Sequence, residues 1–168
     1  MTRLLFVHGA GGYAEDGSLA AGIAAQLGAD LVMPRMPNED MSLTAWSESV
    51  RSALATLDTA DVLVGHSFGA SVLLHVLSGM ATAPRRAVLL AMPDWGPDGW
   101  DVTEYAVTGP EPNATLTLHH CRDDDVVPFD HLARNAARLP SATVRQYPRG
   151  GHQFAGLSDA IAATAHAS

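Results

Sequence analysis

One cysteine, Cys121, stands in 168 residues, which excludes an internal disulfide and any metal site built from several thiolates. Such sparing use fits a reducing compartment, and a cytoplasmic location is expected. Positive charge is scarce as well: ten basic residues face eighteen acidic ones, for a net charge of −8. That balance repels phosphate backbones and anionic lipid surfaces, so neither nucleic acid nor membrane is expected as a partner. The arginines, Arg85-Arg86 among them, are too dispersed for a basic patch. Long apolar runs are missing too, since none approaches the roughly 20 residues of a membrane-crossing helix. The first, Leu4-Leu5-Phe6-Val7, is too short for the core of a secretory signal and reads better as a strand. No export signal is expected.

What the chain does have is apolar residues, 47% against 17% charged, a composition that excludes disorder. Its length suits one hydrophobic core, and a single domain over 1–168 is expected. The most informative stretch is Gly65-His66-Ser67-Phe68-Gly69. The β-branched run Val62-Leu63-Val64 leads into it, and an apolar helical pattern through Val72, Leu73, Val76 and Leu77 follows. Strand, sharp turn and helix force a strained backbone on the serine between them and lift its Oγ clear of the sheet, while the flanking glycines let the helix fold back without a Cβ clash. Ser67 is therefore the candidate nucleophile.

Around this stretch, apolar runs predict strands at 3–7, 30–33, 87–91, 114–119 and 142–147. Helical spacing predicts helices at 18–27, 42–58, 128–139 and 158–167. Residues 92–113 are rich in proline and glycine, contain Trp95 and Trp100, and show no periodicity, as functional loops often do. Strands alternating with helices predict an α/β fold, a three-layer α/β/α sandwich around a mostly parallel, roughly six-stranded sheet. Ligands of such sheets sit at the carboxyl ends of the strands.

Three of those ends carry reactive groups: Ser67 after the third strand, Asp123-Asp124-Asp125 after the fifth, and Gly150-Gly151-His152 after the sixth. A serine hydroxyl needs a base at neutral pH, an imidazole suits that task, and the imidazolium that forms needs an orienting carboxylate. On spacing alone any of the three aspartates could serve.

These motifs resemble the α/β-hydrolase superfamily. The resemblance is carried by His8-Gly9-Ala10-Gly11-Gly12, Gly65-His66-Ser67-Phe68-Gly69, Asp124-Asp125-Val126-Val127-Pro128 and Gly151-His152, and it spans residues 3–165. The small size is similar to the lidless retinoblastoma-binding-protein group of serine hydrolases. The resemblance implies a minimal hydrolase fold with no cap domain, with Ser67 as nucleophile, His152 as base and Asp124 as acid by its match to Asp-x-x-Val-Pro. It also implies an oxyanion hole formed by the backbone N–H groups of Ala10 and Phe68, and no cofactor. Cys121 departs from the pattern, standing where a glycine is common before the acid.

Other residues compete for roles. His8 and His66 adjoin the site but precede turns, and read as scaffold; His75 lies on the helix after the nucleophile. His119 and His120 adjoin the acidic cluster, yet neighbours on a strand point to opposite faces, which spoils chelation, and no metal is expected. Trp46 reads as core. Tyr13, Trp95 and Trp100 are candidates to line the substrate pocket. The expected activity is hydrolysis of a small carboxylic ester, thioester or amide through an acyl-enzyme, with a small-molecule acyl substrate as partner. Two rival readings use the same scaffold: a protein-interaction module, and a lyase or acyltransferase.

Overall fold

In the computed structural model, which describes residues 1–81 and 85–166, six strands form. They are β1 (Arg3–Val7), β2 (Asp30–Val32), β3 (Val62–His66), β4 (Arg85–Leu90), β5 (Ala114–Cys121) and β6 (Thr143–Tyr147). All pair in parallel, in the order β2-β1-β3-β4-β5-β6. Five helices accompany them: α1 (Gly17–Leu27), α2 (Leu43–Leu54), α3 (Phe68–Ser78), α4 (His131–Arg138) and α5 (Ser158–His166). Among the described residues no helix is long and apolar enough to cross a membrane.

Crossovers between parallel strands are right-handed. The chain steps from β1 to β2 in one direction and afterwards in the other, so a constant hand sends α1 to one face and α2, α3 and α4 to the opposite face. Side chains alternate accordingly. Leu4, Phe6, Val62 and Val64 pack with α1 and α5, while Leu5, Val7, Leu63 and Leu89 pack with α2 and α3. Both faces are covered, which explains the continuously apolar central strands and gives the expected α/β/α sandwich. The edge strand β6 is mostly exposed. The reversal of direction between β1 and β3 opens a crevice beyond their carboxyl ends, where the loop after Val7 and the turn at Ser67 meet.

The strands and helices fall where periodicity predicts them, with shifted ends. Helix α2 stops at Leu54 rather than continuing to residue 58, because the buried Asp61 carboxylate takes the Asp58 N–H at 2.9 Å and diverts the chain. The amino end of α2 is capped by Ser42 Oγ, which accepts from Ala45 N–H at 3.2 Å. Pro128–Asp130 forms a turn, so α4 begins at His131. Strands β4 and β5 each extend two residues beyond expectation, β4 backward to Arg85 and β5 forward to Cys121. Residue 167, the expected end of the last helix, lies outside the described residues. The aperiodic segment 92–113 contains a short 3-10 turn at Thr103–Tyr105.

Candidate active site

Ser67 occupies the turn between β3 and α3 with φ 53° and ψ −123°, a left-handed backbone that costs a non-glycine residue on the order of 1–3 kcal/mol. Its neighbours show why the strain persists. A Cβ on Gly65 would lie 2.6 Å from Ala70 Cα, and one on Gly69 would collide with the carbonyl oxygens of Val7 and His8. The helix is thereby pressed onto both strands, and Ser67 N–H donates to Leu90 O at 2.8 Å.

Opposite the turn stands His152, on the loop between β6 and α5. Its Nδ1 lies 2.9 Å from Asp124 Oδ2 and 3.1 Å from Oδ1. The Asp124 side chain is fully buried. Burial opposes its ionisation, but hydrogen bonds from His120, His152 and the Val126 and Val127 amides outweigh that and hold the carboxyl well below the usual range. Asp123 turns the other way and accepts the Gly151 N–H at 2.8 Å and the Gly150 N–H at 3.3 Å, tying down the loop that carries His152. Asp125 is exposed and has no hydrogen-bond or ionic partner among the described residues. The unusual Cys121 is accommodated by Gly150 (φ 144°), since a Cβ there would meet its Sγ at 2.8 Å. Burial, with Asp123 and Asp124 nearby, pushes the thiol up to about 12, so it stays protonated.

Ser67 and His152 share one cavity of about 320 Å³. No hydrogen bond joins Ser67 Oγ to His152 Nε2; such contacts are often loose without substrate and tighten in the complex. Ala10 and Phe68 line the cavity beside Ser67. Phe68 opens α3, where an N–H has no intrahelical partner, and Ala10 N–H has no backbone partner among the described residues. One wall is aromatic. Trp95 packs edge-on against Phe68, Tyr105 and Trp100, with centroids 5.9, 4.9 and 5.1 Å away. Trp95 Nε1 donates to Ser71 Oγ at 2.7 Å, and Tyr105 OH donates to Met41 O at 2.8 Å. The lining also includes Glu15, Asp16 and Gln153.

Tyr13 corrects the expectation. It lines a separate surface hollow with Arg35, whose guanidinium sits 4.1 Å over its ring, and its edge meets His8. The turn at Gly11 (φ 64°) and Gly12 carries Tyr13 to the outer side of the loop. His8 is scaffold: burial holds its imidazole below the ordinary range, its Nε2 accepts from Met36 N–H at 3.0 Å and its Nδ1 donates to Gly9 O at 2.7 Å. His119 and His120 do point apart, His119 toward Tyr147 and Thr164, His120 toward Val127 O.

The sequence profile of the serine hydrolase family matches residues 5–156. This chain belongs to that family. Solved structures similar to this serine hydrolase include the ydeN gene product from B. subtilis, with 20% identity over 91% of this chain and 88% of that one and a TM-score of 0.73. Alpha/beta hydrolase domain-containing protein 10 from mouse shares 15% identity over 96% and 86%, with a TM-score of 0.76. The meta-cleavage product hydrolase CumD from Pseudomonas fluorescens IP01 shares 14% over 98% and 89%, also at 0.76. At such identities the likeness establishes the α/β-hydrolase fold. A comparison with curated proteins yields no match.

Sequence reasoning missed Asp16, Met41, Tyr105 and Gln153 in this serine hydrolase. Met41 and Tyr105 sit in or beside loops without periodicity. Asp16 begins a helix and reads as an ordinary cap, yet its carboxylate turns inward to His66 Nδ1 at 2.8 Å.

Proposed function

We propose that the protein hydrolyses small, uncharged carboxylic esters through an acyl-enzyme formed on Ser67. The observation that carries this reading is the Asp124–His152 hydrogen bond beside a strained Ser67 in one cavity. His152 Nε2 takes the Ser67 proton as Oγ bonds to the carbonyl carbon, and the ester π electrons move onto its oxygen. The Ala10 and Phe68 N–H groups hold that oxyanion, each such donor contributing roughly 3–4 kcal/mol in the transition state. Collapse expels the alkoxide, which takes its proton from His152. A water then repeats the sequence and releases the acid, restoring Ser67.

Two features support the substrate class. The cavity lies at the small end of the roughly 300–1,000 Å³ range of ligand sites, which favours compact acyl groups. Its lining holds Glu15 and Asp16 and, among the described residues, no arginine, which disfavours anionic substrates such as nucleotide-linked thioesters. A cytoplasmic location goes with this reading.

A fluorophosphonate probe with mass mapping tests the chemistry, and labelling is expected at Ser67. Hydrolysis of 4-nitrophenyl esters from acetate to palmitate should peak at short chains, and the hemisuccinate should be poorer than the butyrate. An unlabelled Ser67 would refute the reading; a maximum at twelve carbons or beyond would refute the compact pocket.

A further inference from the structure

His66 precedes the nucleophile and is 1% exposed. Its ring nitrogens face two oxygens: Asp16 Oδ2, 2.8 Å from Nδ1, and the backbone carbonyl of His152, 2.8 Å from Nε2. A carbonyl oxygen cannot donate, so Nε2 carries a hydrogen. Burial opposes ionisation of Asp16, but the hydrogen bond and charge of His66, with the Gly9 N–H and the Gln153 amide, hold its carboxyl below the usual range. His66 and Asp16 are thus joined by a buried hydrogen bond, with both ring nitrogens of His66 engaged.

The pair joins three segments. Asp16 Oδ2 accepts the Gly9 N–H at 2.8 Å, on the loop that carries Ala10, and Oδ1 accepts Gln153 Nε2 at 3.0 Å, on the loop that carries His152. His66 itself ends β3 at the turn holding Ser67. The His152 loop needs such anchorage, because it leaves an exposed edge strand and runs through Gly150, Gly151 and Phe154, all at positive φ. Asp123 fixes its start and Asp124 fixes the His152 ring, while the contact from His66 is made on the His152 main chain.

We propose that the Asp16–His66 pair is a strut that sets the height of His152 over Ser67, which makes Asp16 and His66 positioning residues. The proposal rests on the reading of His152 as the base. His66 is not a second base, since its Nε2 is engaged by the His152 carbonyl. Its ring lies 4.6 Å from that of His152, so the two rings hold each other in place. Loss of the strut frees a loop on which about 1 Å of displacement can cost roughly a hundredfold in rate.

Two nearly isosteric substitutions separate this role from plain stabilisation. In His66→Gln the amide nitrogen falls where Nε2 was, keeping the donor to His152 O and losing the one to Asp16. In His66→Asn it falls where Nδ1 was, keeping Asp16 and losing His152 O. The strut requires kcat to fall about 10- to 100-fold in His66→Asn with KM within about threefold, and less than about fivefold in His66→Gln. Thermal stability should follow the opposite order, because His66→Gln strands the Asp16 charge. Hydrogen exchange of the amides of residues 151–154 should quicken in His66→Asn and not in His66→Gln, whether or not a substrate is turned over. Unchanged exchange in His66→Asn, or kcat losses that simply track stability, would overturn the strut. Wild-type protein that neither takes the fluorophosphonate nor cleaves any ester would overturn the hydrolytic reading, leaving the exchange result to decide the strut. If neither histidine variant folds, Asp16→Ala replaces them: it removes the group that holds His66 Nδ1, and normal exchange at 151–154 in it refutes the proposal.

Discussion

Converting Asp123, Asp124 and Asp125 singly to asparagine removes the same charge from three consecutive positions whose surroundings differ. At Asp124 the buried carboxylate accepts from His152 Nδ1 and from the Val126 and Val127 N–H groups, both at 2.9 Å. An amide has one acceptor oxygen for these donors. If that oxygen stays on Val126 and Val127, its NH2 confronts Nδ1 and drives the hydrogen to Nε2, the tautomer that cannot act as base. Loss of the tautomer-fixing carboxylate costs up to about 10⁴ in turnover, and Asp124→Asn should lose at least about a hundredfold. At Asp123 the asparagine oxygen can keep the 2.8 Å contact to Gly151 and give up the 3.3 Å contact to Gly150. One such hydrogen bond is worth about 0.5–1.5 kcal/mol, or roughly a 2- to 10-fold loss through the His152 loop. Asp125→Asn should match wild type. The assay is kcat/KM on 4-nitrophenyl acetate for the three variants, with far-UV circular dichroism matched. Equal, modest losses at all three positions would mean that a diffuse negative field matters and not one hydrogen bond; a loss largest at Asp125 would refute the assignment of the acid.

Three further outcomes are expected. Ser67→Ala and His152→Ala should each abolish nearly all ester turnover, with the double variant little worse because the groups act as a unit; more than a tenth of the activity left in Ser67→Ala rules out the nucleophile. Gly69→Ala drives a Cβ into the Val7 and His8 carbonyls, which cannot yield as side chains do, so it should cost about 2 kcal/mol or more and lower Tm by roughly 5 °C. An unchanged melting curve would contradict that packing. Burial holds the His119 imidazole down at about 3, against roughly 6.5 in an unfolded chain. Its contribution is therefore intact above pH 6.5 and lost as pH falls, because the unfolded state binds a proton that the native state refuses. By pH 4 the loss is on the order of 3 kcal/mol, and urea titrations at pH 7 and pH 4 should show a shallower acid decline in His119→Gln than in wild type.

Much of the fold was legible because each central strand is covered on both faces, so an apolar run such as Leu4–Val7 or Val62–Val64 admits one reading. That Ser67, Asp124 and His152 share one end of the sheet was legible for a related reason: each lies in the loop or turn after a strand, so the alternation of elements puts them at one edge. The aromatic wall was half legible. Trp95 and Trp100 stand out by composition, but Tyr105 reaches the cavity through Met41 and Glu104, whose carboxylate accepts the Leu43 N–H at 2.8 Å, and no local pattern encodes those bonds. Tyr13 misled because the direction taken after two glycines depends on backbone angles that composition does not carry. Asp16 was illegible on other grounds, since its partners His66 and Gln153 lie 50 and 137 residues away.

The turn holding Ser67 is fastened from two sides, by Gly69 against the end of β1 and by the Ser67 amide on Leu90 of β4. Neither fastening involves the 94–113 loop, which supplies most of the aromatic wall. On the proposed function, reactivity and selectivity would thus reside in separate modules, one built into the sheet and the other laid over it. A library that diversifies Trp100 while sparing Trp95, whose indole is bonded to Ser71 of α3, would explore new acyl groups without loosening the nucleophile, and the same partition gives natural selection a route to new substrates.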